Sequence, residues 1–313
     1  MFKKFHYDKS PKAIREWESL WQQTVGATTF QHPRYHSVIE QHTTCRLELI
    51  WNHDRSACLP ICLKKIKFGV WRRDLGHQGK YGGALGNFEL SDEWWQACLK
   101  YIDGGLLNPW QSHPRASKDL DFRQNETSIF RLNSETQSRK FKSLLRKAED
   151  AQLKVHSVHF TDIAKDFEQI HLEQCKRWGV PYKEKELREA QFSLSGSETS
   201  VVVDRNGQPI HIEASMKSGN VLINCLVAQN SIGRNLGAGV ALLNAHAKSL
   251  RNKTYVLDQG PSGGLHRVKH YKITIGGENL QLNEVRNERL IVKGRYAIGR
   301  ARVKLLDSLR PNF

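Results

Sequence analysis

The chain is 313 residues long with 39% hydrophobic and 26% charged residues, enough to bury the core of one large domain or of two ordinary ones. No run of the sequence nears the roughly 18 apolar residues of a membrane span, and the lysine-bearing N-terminus lacks the apolar stretch of a signal peptide, so a folded, cytoplasmic protein without an integral membrane segment is expected. Lys and Arg number 48 against 32 acids, and the net charge of +16 calls for an anionic partner: nucleic acid, an anionic membrane surface or a phosphate-bearing substrate.

Apolar spacing predicts helices over residues 15–26, with Trp17, Leu20, Trp21 and Val25 on one side, and over 34–44. Two strands follow, 46–52 and 57–68, around the turn-forming HDRS. A loop rich in glycine, DLGHQGKYGGALGN, then precedes a Trp-rich helix, DEWWQACLKYI. The polar, proline-bearing NPWQSHPRASKDLDF is the expected connection between halves, placed at 1–125 and 126–313. Beyond it come a short strand, SIFRLN, and a basic amphipathic helix, SRKFKSLLRKAED, with Phe141, Leu144, Leu145 and Ala148 on one side. The strand LKVHSVHF, a long helix ending at KRWG and a helix over ELREAQFSL lead to SVVVD and PIHIEASMK, joined by RNGQ, and then to NVLINCLVA. The strand TYVLDQG comes after a glycine bend and its helix, and a basic helix is expected over 286–310. This order predicts an α+β fold rather than a doubly wound one. Six scattered cysteines (45, 58, 62, 98, 175 and 225) include a lone C-x-x-x-C at Cys58 and Cys62 with no second pair, so no metal is expected.

The bend carries the clearest chemical signal. Arg234, Gly237 and Gly239 are spaced R-x-x-G-x-G between an apolar strand and a helical stripe of Val240, Leu243, Ala247 and Leu250. Glycines let backbone approach a ligand, and the first N–H groups of a helix point at an anion, so a phosphate is the expected guest. A Walker loop is excluded because Val240 follows the last glycine, and a dinucleotide fingerprint because the glycines run 233, 237, 239.

These residues resemble a known family. R-N-L-G-A-G after LINCLVAQ resembles the acyl-CoA pyrophosphate loop of the GNAT-type N-acetyltransferase fold and completes its Q/R-x-x-G-x-G/A pattern. SRKFKSLLRKAEDAQLKV, the helix ending at KRWGVP, and LDQGPSGGLHRVKHYKITIGG together resemble the FemAB/CelD-like branch of that superfamily, with Val268 where an aromatic residue usually precedes the lysine. The resemblance implies two GNAT-like halves, each a mostly antiparallel mixed sheet flanked by helices, with a cleft between them or in the second half. It implies an acyltransferase using acyl-CoA as co-substrate on an amine or hydroxyl of a sugar or polysaccharide precursor, as in CelD-like members. The FemAB side implies instead an aminoacyl-tRNA-dependent transferase acting on a cell-envelope precursor or protein, with tRNA as partner. A nucleic-acid-binding module on a catalytically dead GNAT scaffold is the non-enzymatic alternative.

Candidate residues follow. Amides from Asn235 through Leu236, Gly237, Ala238 and Gly239, with Arg234, are expected to cradle the donor's pyrophosphate, and donors near Val227 and Ala228 to face its carbonyl. Lys269, on the carried-over lysine position, is the candidate for meeting the oxyanion or an acceptor phosphate. Asp258, Glu213 and His266 are the candidate bases. Arg139, Lys142 and Arg146, at i, i+3 and i+7, form a basic helix face for an extended anion. No Ser-His-Asp or Cys-His order supports a covalent intermediate.

Overall fold

The computed structural model describes residues 4–6, 10–66, 71–77, 80–87, 93–111, 122–131, 138–178, 185–194, 196–249, 256–261 and 266–286. The chain divides into two units, one of Met1–Thr24, Thr44–Gln124 and Asn283–Phe313, the other of Val25–Thr43 and Asn125–Leu282.

The first unit opens with β1 (Lys4–His6) and α1 (Pro11–Gln23), whose start is set by Ser10 accepting the Ala13 amide and by Pro11 at the first helical position. The hairpin of β2 (Arg46–Trp51) and β3 (Ala57–Lys65) turns through residues 52–56, where the Asp54 carboxylate accepts the Ser56 amide and the Asn52 side chain accepts the Ala57 amide, with Arg55 in the left-handed region at φ 62°. β4 (Trp71–Asp74) leads into the segment expected to be a glycine loop, and within that segment lie the short strands β5 (Tyr81–Gly82) and β6 (Leu85–Gly86). Next come α3 (Glu93–Tyr101) and β7 (Gly104–Leu107), which runs parallel to β4 and β5. The core sets Trp94, Trp95, Leu99 and Ile102 against Leu59, Ile61 and Leu75. Glu284, Val285 and Arg286 pair antiparallel with β7.

The second unit holds α2 (Pro33–His42), β8 (Phe122–Arg131), α4 (Arg139–Asp150), β9 (Lys154–Val158), α5 (Phe160–Trp178) and α6 (Lys185–Phe192). It continues with β10 (Ser197–Val203), β11 (Pro209–Ser218), β12 (Val221–Gln229), α7 (Ser231–Leu236), α8 (Ala238–Ser249), β13 (Val256–Pro261), α9 (His266–Thr274) and the start of β14 (Glu278–Arg286). Sheet order is β8-β13-β12-β11-β10-β9, antiparallel throughout except at β12–β13, where α7 and α8 supply the crossover a parallel pair requires. Phe141 and Leu144 of α4 and Val240 and Leu243 of α8 pack on Leu222, Leu257 and Phe130.

Two segments join the unit that is more distant in sequence. Residues 25–43 belong with the second half because the Thr29 hydroxyl donates to the Lys217 carbonyl (3.1 Å), Ser218 donates to Ala27, and the Gln191 amide donates to the Tyr35 hydroxyl (3.2 Å). Asn283–Arg286 belong with the first half through their pairing to β7. Beyond Arg286, the last residue of β14, the basic helix expected over 286–310 lies outside the described residues, as does 112–121 of the expected connection, and β8 already begins at Phe122. Among the described residues no helix is long and apolar enough to cross a membrane.

Candidate active site

The site lies where two parallel strands of the second unit part. β12 and β13 pair through Val221, Leu222 and Ile223 opposite Val256, Leu257 and Asp258, after which β12 runs on to Gln229 without β13 beside it, still paired with β11. The cause is local: Ser215 faces Asn224 while Ala214 faces Leu226, so Cys225 is an extra residue that bends β12. β13 turns off at Gly260, at φ 68°, with Lys272 Nζ donating to the carbonyls of Gln259 (3.0 Å) and Gly260 (2.8 Å) and Asp258 accepting the Gly260 amide (2.8 Å). An unpaired strand edge would leave main-chain groups unsatisfied. Gln174 of α5 closes it, donating to the Val227 carbonyl (3.1 Å) and accepting the Gln229 amide (2.8 Å).

Polar side chains crowd this fork although it is buried. His211 and Glu213 alternate on one face of β11 and are 3% and 6% exposed; Asn224 is 8% exposed, Asp258 0% and Lys272 8%. His211 Nε2 lies 3.5 Å from Glu213 Oε2, yet both imidazole nitrogens, Glu213 Oε1 and Asn224 Oδ1 have no hydrogen-bond partner. Asp258 Oδ1 accepts the Thr127 hydroxyl at 2.6 Å. Burial pulls the Lys272 ammonium down to about 8, against the opposing pull of Asp258 and Glu213. Desolvation around its hydroxyl, reinforced by Glu213, pushes the Tyr271 phenol up, although the residue as a whole is 41% exposed. A Cβ placed on Gly239 would sit 3.7 Å from His211 Cε1 and 3.7 Å from the Tyr271 hydroxyl, so the start of α8 roofs the same group of side chains.

The geometry places three groups of the expected residues as follows. At the glycine bend Asn235 and Leu236 end α7, and the Gly237 amide donates to the Gly233 carbonyl. Gly237 is required as a glycine, since it adopts φ 76° and its absent Cβ would lie 2.6 Å from the Leu144 carbonyl of α4. Only Ala238 and Gly239 remain as first-turn amides of α8, with Arg234 exposed on α7. Near Val227 and Ala228 the Val227 carbonyl accepts from the Gln174 amide, Ala228 is buried in the pairing with Ile212, and the engaged donor is the Gln229 amide, held by Gln174. Lys269 is paired on the surface with Glu126 at 2.5 Å, and the lysine that enters the fork is Lys272.

The remaining candidates fall as follows. Asp258 and Glu213 both stand in the fork, and the first residue of α9 is His266. Arg139, Lys142 and Arg146 are exposed on α4, the helix that packs against α7 and α8 and carries the Leu144 carbonyl beneath Gly237. Burial and the nearby Arg234 lower the pKa of Arg177 on α5, which brings a second guanidinium to the bend. His211, Asn224, Gln174 and Lys272 are additions to the site. His211 is signalled by its i, i+2 relation to Glu213, and Lys272 by its aromatic neighbour Tyr271, which supplies the aromatic–lysine pair missing at Val268 and Lys269.

No protein-family model matches the chain, and no curated protein matches it in sequence. Solved structures do. FemX superposes with a TM-score of 0.60 at 11% identity, covering 91% of this chain and 98% of its own. L-PGS from Bacillus licheniformis gives 0.56 at 11%, covering 93% and 96%, and a tandem GNAT protein from the clavulanic acid biosynthesis pathway gives 0.51 at 9%, covering 92% and 99%. The likeness is one of fold: the chain is α+β, with two GNAT-like halves.

Proposed function

We propose that the protein is a transferase that moves an activated acyl group onto an amine or hydroxyl by direct attack at the fork of β12 and β13. The observation that carries this reading is the juxtaposition there of a buried carboxylate with an unpartnered oxygen, Glu213, and a buried lysine, Lys272. Lys272 Nζ commits two donors to the Gln259 and Gly260 carbonyls, and an ammonium has three, so one is left for an oxyanion. The nucleophile attacks the donor carbonyl, its proton passes to Glu213, and negative charge on the carbonyl oxygen is met by Lys272. Collapse of the tetrahedral adduct breaks the bond to the leaving oxygen or sulfur, which takes the proton back from Glu213. No covalent enzyme intermediate is involved.

For the donor we propose an aminoacyl-tRNA ester. The Gly237 amide of the bend already donates to the Gly233 carbonyl, whereas exposed Arg139, Lys142 and Arg146 on α4 beside Arg234 suit an extended polyanion, in keeping with the net charge of +16. Acyl-CoA is the second reading, favoured by the intact Arg234-x-x-Gly237-x-Gly239 spacing and the α8 amides of Ala238 and Gly239, and with it goes a saccharide acceptor. Mass spectrometry of nucleotides co-purifying with the protein separates them. Recovery of tRNA supports the ester donor, recovery of a CoA species supports the thioester, and transfer from neither class of donor overturns both.

A further inference from the structure

In the first unit the ribbon of β3 and β4 outruns the sheet it belongs to. β2 reaches only as far as the pair of Arg46 with Leu63, and β7 meets β4 at Asp74 opposite Gly104. The outer two rungs, Lys64 opposite Arg72 and Lys65 opposite Trp71, therefore have no further strand beside them among the described residues. Acids match the inner cations: Arg72 Nε lies 2.6 Å from Asp74 Oδ1, and Arg73 Nε 3.2 Å from Asp103 Oδ2. Arg46, Lys64 and Lys65 are exposed and make no ion pair among the described residues, and the sequence from 64 to 73 contains no acid. A lysine directly opposite an arginine disfavours the pairing of the two strands, a cost that an anionic partner removes.

We infer that this ribbon docks end on against a bilayer surface bearing anionic headgroups. Successive residues of a strand point to opposite faces, so Lys64 and Arg72 stand on one side of the ribbon, and Lys65, Arg73 and Arg46 on the other with Trp71. Cations on both sides reach headgroups all round a ribbon that enters the interface. Half-buried Trp71, with the Arg46 guanidinium 4.9 Å from its ring centroid, and half-buried Ile66 supply the apolar part at the same end. An indole suits that boundary, its ring against apolar chains and its N–H toward water. A nucleic-acid strand lies along one face of a sheet and would leave the charge on the other face unused. Docking is independent of the transferase reading and is tested without any transfer.

The test is co-flotation of the purified full chain with vesicles of phosphatidylcholine alone and of phosphatidylcholine with about one-third phosphatidylserine. Each basic side chain at the surface is worth about fivefold, so the three exposed cations give wild type a preference of about 100-fold or more for the anionic vesicles. Replacing both ribbon lysines, Lys64→Gln with Lys65→Gln, is expected to lower that binding about 25-fold. The same charge taken from exposed positions of α4, Lys140→Gln with Lys147→Gln, is expected to change it by less than about threefold. Trp71→Ala is expected to weaken binding by an amount that persists at high salt, where the contribution of the lysines is screened away. Both ribbon lysines are exposed, so their double variant keeps the test open should Trp71→Ala fail to fold. Equal binding of wild type to the two kinds of vesicle overturns the inference. An equal loss from the α4 pair also overturns it, since the attraction is then that of a basic protein as a whole. A ribbon variant that keeps its vesicle binding but no longer binds an oligouridylate probe overturns it in favour of RNA. Vesicle docking by a protein that transfers from no donor refutes the transferase alone, and transfer without docking refutes the membrane ribbon alone.

Discussion

Replacing the two glycines of the bend one at a time separates packing from chemistry. At Gly237 the backbone is left-handed, φ 76°, and an added Cβ lies 2.6 Å from the Leu144 carbonyl oxygen and 3.1 Å from the Leu144 Cβ. That conformation costs an L-residue about 1–2 kcal/mol, and moving α4 to relieve the clash adds about 1–3 kcal/mol of overpacking. Gly237→Ala is therefore expected to lose about 2–5 kcal/mol, a fall of about 4–20 °C at the roughly 2–4 °C per kcal/mol of a unit this size. At Gly239 the nearest atoms to an added Cβ are His211 Cε1 and the Tyr271 hydroxyl at 3.7 Å and Gln229 Nε2 at 3.8 Å, ordinary van der Waals distances. Gly239→Ala also gains about 0.5–1 kcal/mol of helix propensity in α8. It is expected to melt at or slightly above wild type while its methyl group narrows the fork and lowers ligand affinity. Differential scanning calorimetry with parallel ligand titration reads both. Equal melting of wild type and Gly237→Ala, or a Gly239→Ala protein as destabilised as Gly237→Ala, refutes the assignment of one glycine to the close approach of α4 and the other to the site.

Further outcomes follow from the same geometry. Lys272→Met is expected to lower transfer about 100-fold or more; the wild-type rate should fall above about pH 8 as the ammonium is lost, a limb missing in the mutant, whereas a wild-type profile flat across pH 8 contradicts this. The same depressed pKa makes stability rise between about 8 and the unfolded value of 10.5, because in that window the unfolded chain holds the proton the folded chain has released. Lys269→Met removes a half-exposed ion pair with Glu126 and is expected to change stability by no more than about 1 kcal/mol and transfer little, which steady-state rates and thermal melts check side by side. Gln174→Leu strips the partners from the Val227 carbonyl and the Gln229 amide and is expected to cost about 1–3 kcal/mol in urea denaturation. Reversing Arg139, Lys142 and Arg146 should flatten the salt dependence of tRNA binding by about 0.7–0.9 for each phosphate that is no longer neutralised, and an unchanged slope marks that face as merely solvated.

Alternation makes the second-half sheet legible: PIHIEASMK and NVLINCLVA become β11 and β12 because period-2 apolar runs bounded by RNGQ and Ser218-Gly219 have few other folds. Glu213 and Asp258 are visible for the same reason, as acids within otherwise apolar strands. G-L-x-x-x-K spacing ends on Lys269, while α9 carries Lys272, one turn further on, to the Gln259 and Gly260 carbonyls, a contact that local spacing does not signal. Gln174 has no local signal: its role depends on β12 losing β13 as a neighbour, and it meets Val227 53 residues away in sequence. Glycine spacing at the bend reports conformational freedom without its cause, and at Gly237 the structure adds a carbonyl on α4 that leaves no room for a Cβ. The assignment of 25–43 to the second unit is equally hidden, since it depends on long-range bonds such as Thr29 to Lys217.

The most direct test of the central claim is a comparison of aminoacylated and deacylated forms of the same tRNA, titrated into wild type and into Glu213→Gln and Lys272→Met at one fixed ionic strength and followed by fluorescence anisotropy. The account predicts that wild type binds the aminoacylated form about 10-fold or more tightly than the deacylated form, and that either substitution removes the difference while leaving deacylated binding intact, because the backbone is held by exposed basic residues and the acyl end by the fork. Indifference of wild type to the acyl group, together with tight binding of CoA by the same protein, would contradict it.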